Sequence, residues 1–201
     1  MAIIPQNFEN EQHFSNRVYN FFKHYQIGNI LRKCNAYKHG GIAVVTVVMY
    51  LFLLVFRNRT MNMDMVSERK GCDFERDTVY RLKNSSKINW QRYTTLLSAR
   101  IINDSIQPLT SEDRRDAFII DDTIFERGRS KKVELLAWKF DHARHKTVRG
   151  FQLLTLSWSD GVTQISVNYC LSSSANVESR INEAKLYPTT VQPPIAVSWH
   201  R

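Results

Sequence analysis

The chain has 201 residues, 43% hydrophobic and 23% charged, ordinary values for a folded globular protein with one or two small domains. Its 28 Lys and Arg outweigh 19 Asp and Glu for a net charge of +9, a balance that favours a polyanionic partner, nucleic acid before an acidic membrane surface. Cys34, Cys72 and Cys170 are too few and too scattered for a disulfide framework or a zinc ribbon, and MAIIPQNFENEQHF lacks the basic and apolar segments of a secretory signal. The expected location is therefore cytoplasmic.

In chain order, residues 8–37 carry Phe14, Val18, Phe21, Phe22 and Tyr25 at helical spacing, with Gly28 as the expected break. IAVVTVVMYLFLLVF, 42–56, is fifteen uncharged residues. As a helix it reaches about 22 Å at ~1.5 Å per residue, short of a hydrocarbon core of ~30 Å, so a buried core helix is the reading preferred over a membrane segment. The alternation of Met61, Met63 and Met65 with polar residues is read as a loop rather than a partner surface. From 72 to 110, Asp77 is a candidate N-cap for TVYRLKN, Asn84-Ser85-Ser86 a polar turn, and Ile88, Trp90, Tyr93, Leu96, Leu97 and Ile101 one face of a second helix. Arg81, Lys83, Lys87, Arg92 and Arg100, with Tyr80, Trp90 and Tyr93 between them, suit either a solvated basic hairpin or a helix-turn-helix unit contacting phosphates.

Pro108 and TSEDRRD mark a boundary, after which the pattern becomes strand-like. The expected strands are AFIIDDTIF, GFQLLTLSWSDG and VTQISVNYCL, the last two joined through Asp160-Gly161 as a hairpin. The connection between the first two holds Lys131, Lys132, Lys139, Arg144, Lys146 and Arg149, a strongly positive stretch for phosphate contact or solvent. SSSANVESRINEAK, 172–185, reads as the start of a helix, and the proline-rich 186–201 as a disordered tail.

The chemistry centres on Asp121 and Asp122. Side chains alternate along a strand, so the two carboxylates point to opposite faces, and a strand-end Asp is a good hard-oxygen ligand for a divalent cation. His142 and His145 beside Asp141 have no Cys or His cluster close in sequence, so a basic DNA-facing loop is a better account of them than zinc. Without a glycine-rich phosphate loop, nucleotide hydrolysis has no support.

Taken together, IIDDTIFERGRSKK, KFDHARHKTVRGFQLLTLSWSDG and ISVNYCLSSS resemble the DDE transposases of bacterial insertion sequences, cut-and-paste enzymes with an RNase H-like core. The resemblance runs from about residue 8 to 185 and rests on separated motifs in the right order, including Asp141, His142, Gly150, Phe151 and the run Trp158 to Gly161. DTVYRLKNSSKINW is similar to the family's N-terminal DNA-binding region.

The resemblance implies an α+β chain: an all-helical DNA-binding region over 1–107, then an incomplete RNase H-like α/β core over 115–185 with three antiparallel strands, one partial helix and an open edge on the first or third strand. It implies metal-dependent phosphoryl transfer at transposon ends, with Mg²⁺ or Mn²⁺ as cofactor, DNA ends and target DNA as partners, and a homo-oligomer in the intact family. Asp121 takes the first catalytic and metal-binding place, or Asp122 if the register slips by one. Arg81, Lys83, Lys87, Arg92, Lys131, Lys132, Arg144 and Lys146 become the DNA-binding set. Asp160, Glu178 and Glu183 do not stand where the second Asp and the Glu belong, so the expectation is a truncated and inactive copy. The alternatives are a non-catalytic DNA-binding fragment or a small membrane-associated protein.

Overall fold

The computed structural model describes residues 8–66, 72–111 and 113–183, with side chains from residue 15 onward. The chain is α+β: among the described residues six α-helices precede a four-stranded antiparallel sheet. It divides into two compact units, Met1–Leu97 and Ser98–Arg201.

In the first unit, α1 (Phe8–His24), α2 (Ile27–Lys33) and α3 (Val44–Arg57) are followed by α4 (Met61–Val66), α5 (Arg76–Lys83) and α6 (Trp90–Ile101), the last running across the division into the second unit. The break between α1 and α2 falls at Gln26, not at Gly28. Gln26 adopts the left-handed conformation with φ 52°, while Gly28 lies inside α2, where a side chain would meet Val45. The apolar segment forms α3 and turns Val44, Val47, Tyr50 and Leu54 into a core shared with Val18, Phe22, Leu31, Val79 and Leu82. Among the described residues no helix is long and apolar enough to cross a membrane.

The methionine-rich stretch expected as a loop is the helix α4. Its reason is tertiary: Asp64, 0% exposed, accepts a hydrogen bond of 2.9 Å from the Tyr50 hydroxyl, and Arg59 stands 3.9 Å from its other oxygen. A buried carboxylate is tolerated only with such partners, so the turn that carries it is held against α3. Burial and this carboxylate push the Tyr50 phenol well above its ordinary range. Helix α5 starts at Arg76 with Glu75 in the cap position, so Asp77 lies in its first turn, where its charge suits the helix dipole.

In the second unit, β1 (Ala117–Glu126), β2 (Ala137–Asp141), β3 (Lys146–Ser159) and β4 (Gln164–Ser172) form one sheet in which β3 is central. All ten residues of β1 run antiparallel to Gly150–Ser159 of β3. The opposite edge of β3 is divided: β2 pairs with Lys146–Gly150 and β4 with Gln152–Ser159. The β1–β3–β4 meander is consistent with the opening strands of an RNase H-like core. Strand β2 lies within the expected basic connection, and β3 begins four residues before its expected start at Gly150.

Beyond β4, the expected helix is replaced by a single 3₁₀ turn, Val177–Ser179, capped by Asn176. The Ile181 and Asn182 amides donate to the Leu136 carbonyl, at 2.8 and 3.1 Å, and Arg180 bridges Ala137. Backbone donors committed to the Leu136 carbonyl, just before β2, cannot close helical turns. The proline-rich 186–201 lie outside the described residues. Among those described, β1 and β4 each pair with β3 alone, and β1 is unusually bare, with Phe118 and Ile120 70% and 68% exposed.

Gly150 is where β1, β2 and β3 meet. A Cβ there would lie 2.4 Å from the Phe125 carbonyl oxygen and 3.1 Å from the Glu126 Cα, both backbone atoms that cannot step aside. Gly150→Ala should therefore destabilise the chain by roughly 1–3 kcal/mol or more, read as a lower urea midpoint at an unchanged slope.

Candidate metal centre and nucleic-acid interface

The register of β1 on β3 decides where each carboxylate goes. Asp121 stands opposite Thr155, which in turn stands opposite Tyr169 of β4. Asp122 stands opposite Leu154, on the other face. Both are exposed. Asp121 Oδ2 accepts 2.9 Å from the Thr123 hydroxyl two residues on, which fixes its rotamer and leaves its remaining lone pairs toward solvent.

Asp122 is committed to the sheet. Its Oδ2 accepts from Gln152 Nε2, and Gln152 Oε1 accepts 2.9 Å from Lys139 Nζ, which also donates 3.0 Å to the Ser173 carbonyl. Burial lowers the Lys139 ammonium pKa, while the Asp122 charge pulls it back up. A carboxylate held by an amide with an ammonium behind it is a poor ligand for a second cation. Of the two acids, Asp121 is the better placed for metal, and the two cannot share one ion because they face opposite ways.

Asp160, Glu126 and Glu183 have structural partners. Asp160, buried in the β3–β4 turn, accepts from the Thr163 and Val162 amides at 2.6 and 3.0 Å. It also accepts from the Thr110 hydroxyl at 2.9 Å and Arg114 at 3.1 Å. These bonds, the Thr163 amide first, hold its carboxyl far below the usual range against the opposing effect of burial. Glu126 pairs with Arg144, Glu183 with Arg180, and Glu178 lies in the 3₁₀ turn. Among the described residues no group of three or more His, Cys, Asp or Glu is arranged to hold a metal. Asp121 and its neighbours thus do not by themselves fit the carboxylate set of a divalent-metal site.

The basic residues fall in two places. Arg81 and Lys83 on α5, Lys87 in the turn and Arg92 at the start of α6 are exposed in the helical unit. The Arg92 amide is capped by Asn89 Oδ1 at 2.8 Å. Trp90 and Tyr93, read both as part of the apolar helix face and as aromatics among the cations, pack against the helical core with their rings edge-on at 6.0 Å, and burial raises the Tyr93 phenol to about 12. In the sheet unit Lys131, Lys132, Arg144 and Lys146 are exposed. Arg144 is bound to Glu126 at 2.9 Å and lies 3.6 Å from Asp141, so its charge is largely neutralised locally. His142 packs edge-on against Phe140, and His145 closes the β2–β3 turn with φ 49°.

Helices bearing exposed cations precede a sheet whose first strand carries a solvent-facing acid, Asp121, in its middle and not at its end as the sequence reading expected, because pairing with β3 continues to Glu126. A family profile described as DDE superfamily endonuclease matches residues 45–192. The chain belongs to that family. The match begins in α3, so it takes in helices as well as the sheet. No curated protein and no solved structure matches the chain. Endonucleases of the DDE superfamily act on DNA and typically use divalent metal ions.

Sequence reasoning missed the Asp122–Gln152–Lys139–Ser173 chain. No spacing signals it, because its members meet only once β1, β3 and β2 are in register. It also missed β2, although Trp138-Lys139-Phe140 before a polar turn carries the alternation of a strand.

Asp160 gives a pH test. Its folded carboxyl is depressed relative to ~3.9 in an unfolded chain, so its stabilisation is complete above about pH 4 and is lost as pH falls toward the lower folded value. Asp160→Asn should lower the melting temperature at neutral pH and flatten its decline below about pH 4.

Proposed function

We propose that this DDE superfamily member serves DNA transposition, binding transposon-end DNA through its helical region, about 1–107, and contributing Asp121 from a partial core, about 115–185, to a metal-dependent phosphoryl-transfer site. The observation that carries this reading is the asymmetry of the acidic pair: Asp121 is solvent-facing and held only by Thr123, whereas Asp122 is tied to Gln152. A complete site of this kind needs several carboxylates to hold ions against the attacking and leaving oxygens. Asp160 is consumed by its turn, and among the described residues no carboxylate set is arranged around Asp121 to hold such ions, so this chain by itself is a non-cutting form. What Asp121 and the exposed cations of the chain supply is position and charge.

A DNA-binding role without catalysis is the second reading, favoured by the exposed cations on α5, the turn and α6. The membrane alternative rested on the apolar segment, which the helical core accounts for through α3.

With Mg²⁺ or Mn²⁺ and a plasmid carrying transposon ends, the purified chain should leave the DNA intact; strand cleavage abolished by Asp121→Asn would overturn its inactivity. In a mobility-shift titration, affinity should fall steeply with salt, and replacing Lys83, Lys87 or Arg92 with alanine should reduce the salt slope by about one for each phosphate no longer neutralised. Salt-insensitive binding would count against the helical region as the DNA-binding surface.

A further inference from the structure

The face of the sheet that carries Asp121 also carries partly exposed aromatic rings. On β1, Phe125 shares that face, opposite Phe151 of β3. The register continues it onto β2, where Trp138 stands opposite Arg149 and Phe140 opposite Thr147. Trp138 and Phe140 are 48% and 49% exposed, and Phe125 is 44% exposed. Guanidinium groups lie over two of these rings: Arg149 is 5.6 Å from the Trp138 centroid and Arg127 4.6 Å from that of Phe125. Arg149 is held in place by a bond to the Gly128 carbonyl.

These details decide what kind of partner the face fits. An apolar helix laid across it would bury both guanidiniums without a counter-charge, a costly arrangement. A partner that offers anions and flat apolar surfaces together satisfies both features. Nucleic acid does so when its bases are unstacked, with phosphates toward Arg127 and Arg149 and bases against the exposed parts of the rings and the guanidinium planes. An intact duplex hides its base faces, so the rings select unpaired nucleotides. Along β3, the Trp138–Arg149 row lies six residues from the Asp121–Thr155 row, roughly 20 Å at ~3.4 Å per residue.

Resting on the DNA-binding reading above, we propose that Trp138, Phe140 and Phe125, with Arg127 and Arg149, form a stacking platform for unpaired nucleotides of a DNA end on the Asp121 face of the sheet. The platform is distinct from the cations of the helical unit, which serve duplex phosphates.

Fluorescence anisotropy with the full chain tests it, using a blunt duplex, the same duplex with a short single-stranded tail, and the single strand alone. The tailed duplex should bind at least about fivefold tighter than the blunt one. Trp138→Ala and Phe140→Ala should erase that preference and leave blunt-duplex affinity unchanged. Trp138→Phe, which keeps a ring, should retain most of it. Circular dichroism confirms that each variant is folded. Equal affinity for tailed and blunt DNA, or a preference that survives both alanine variants, overturns the platform alone. Absence of binding to every probe at low salt overturns the DNA-binding reading with it. An oligomer that dissociates on Trp138→Ala with no change in DNA preference assigns the face to a second copy of the chain and also overturns the proposal.

Discussion

Central strand β3 is the constraint on which the sheet depends. Its fourteen residues carry β1 along one edge and β2 followed by β4 along the other, so one backbone sets the register of three strands. Gly150 sits where β1 and β2 flank it together, and only the absence of a side chain lets the Phe125 carbonyl approach so closely. A slip of one residue would exchange the faces of Asp121 and Asp122. The geometry of the acidic site is thus a consequence of backbone pairing several residues away.

That pairing gives adjacent, chemically identical side chains different roles. Asp122 is drawn into a chain of hydrogen bonds that joins β1 to β3, β2 and the segment after β4. Asp121, on the other face, keeps only a local hydroxyl. Asp160 shows the opposite extreme, a carboxylate so well supplied with donors that it acts as a structural pin between the β3–β4 turn and the segment leading into β1. Charge and residue type are the same in all three; surroundings assign the role.

Much of the fold was legible. Helical spacing marked α1, α3 and α6, the run from 117 marked β1, and Asp160-Gly161 marked the β3–β4 hairpin, because these elements owe their form to local pattern and turn chemistry. The misses have tertiary causes. Helix α4 depends on burying Asp64 against Tyr50, a partner fourteen residues earlier. The segment after β4 looked helical, but its amides are claimed by Leu136. Basic residues concealed β2, whose alternation was read as a charged loop.

The sequence by itself determined the order of a helical region before a β-rich one, the basic charge balance and the motifs that resemble the DDE family, since these lie in composition and in residues close together along the chain. Tertiary structure alone decided that Asp122 rather than Asp121 is tied to Gln152, and that Trp138, Phe140 and Phe125 share a face with Asp121. Those outcomes depend on which strands are neighbours and in what register, and backbone pairing between distant segments leaves no periodic trace in either one.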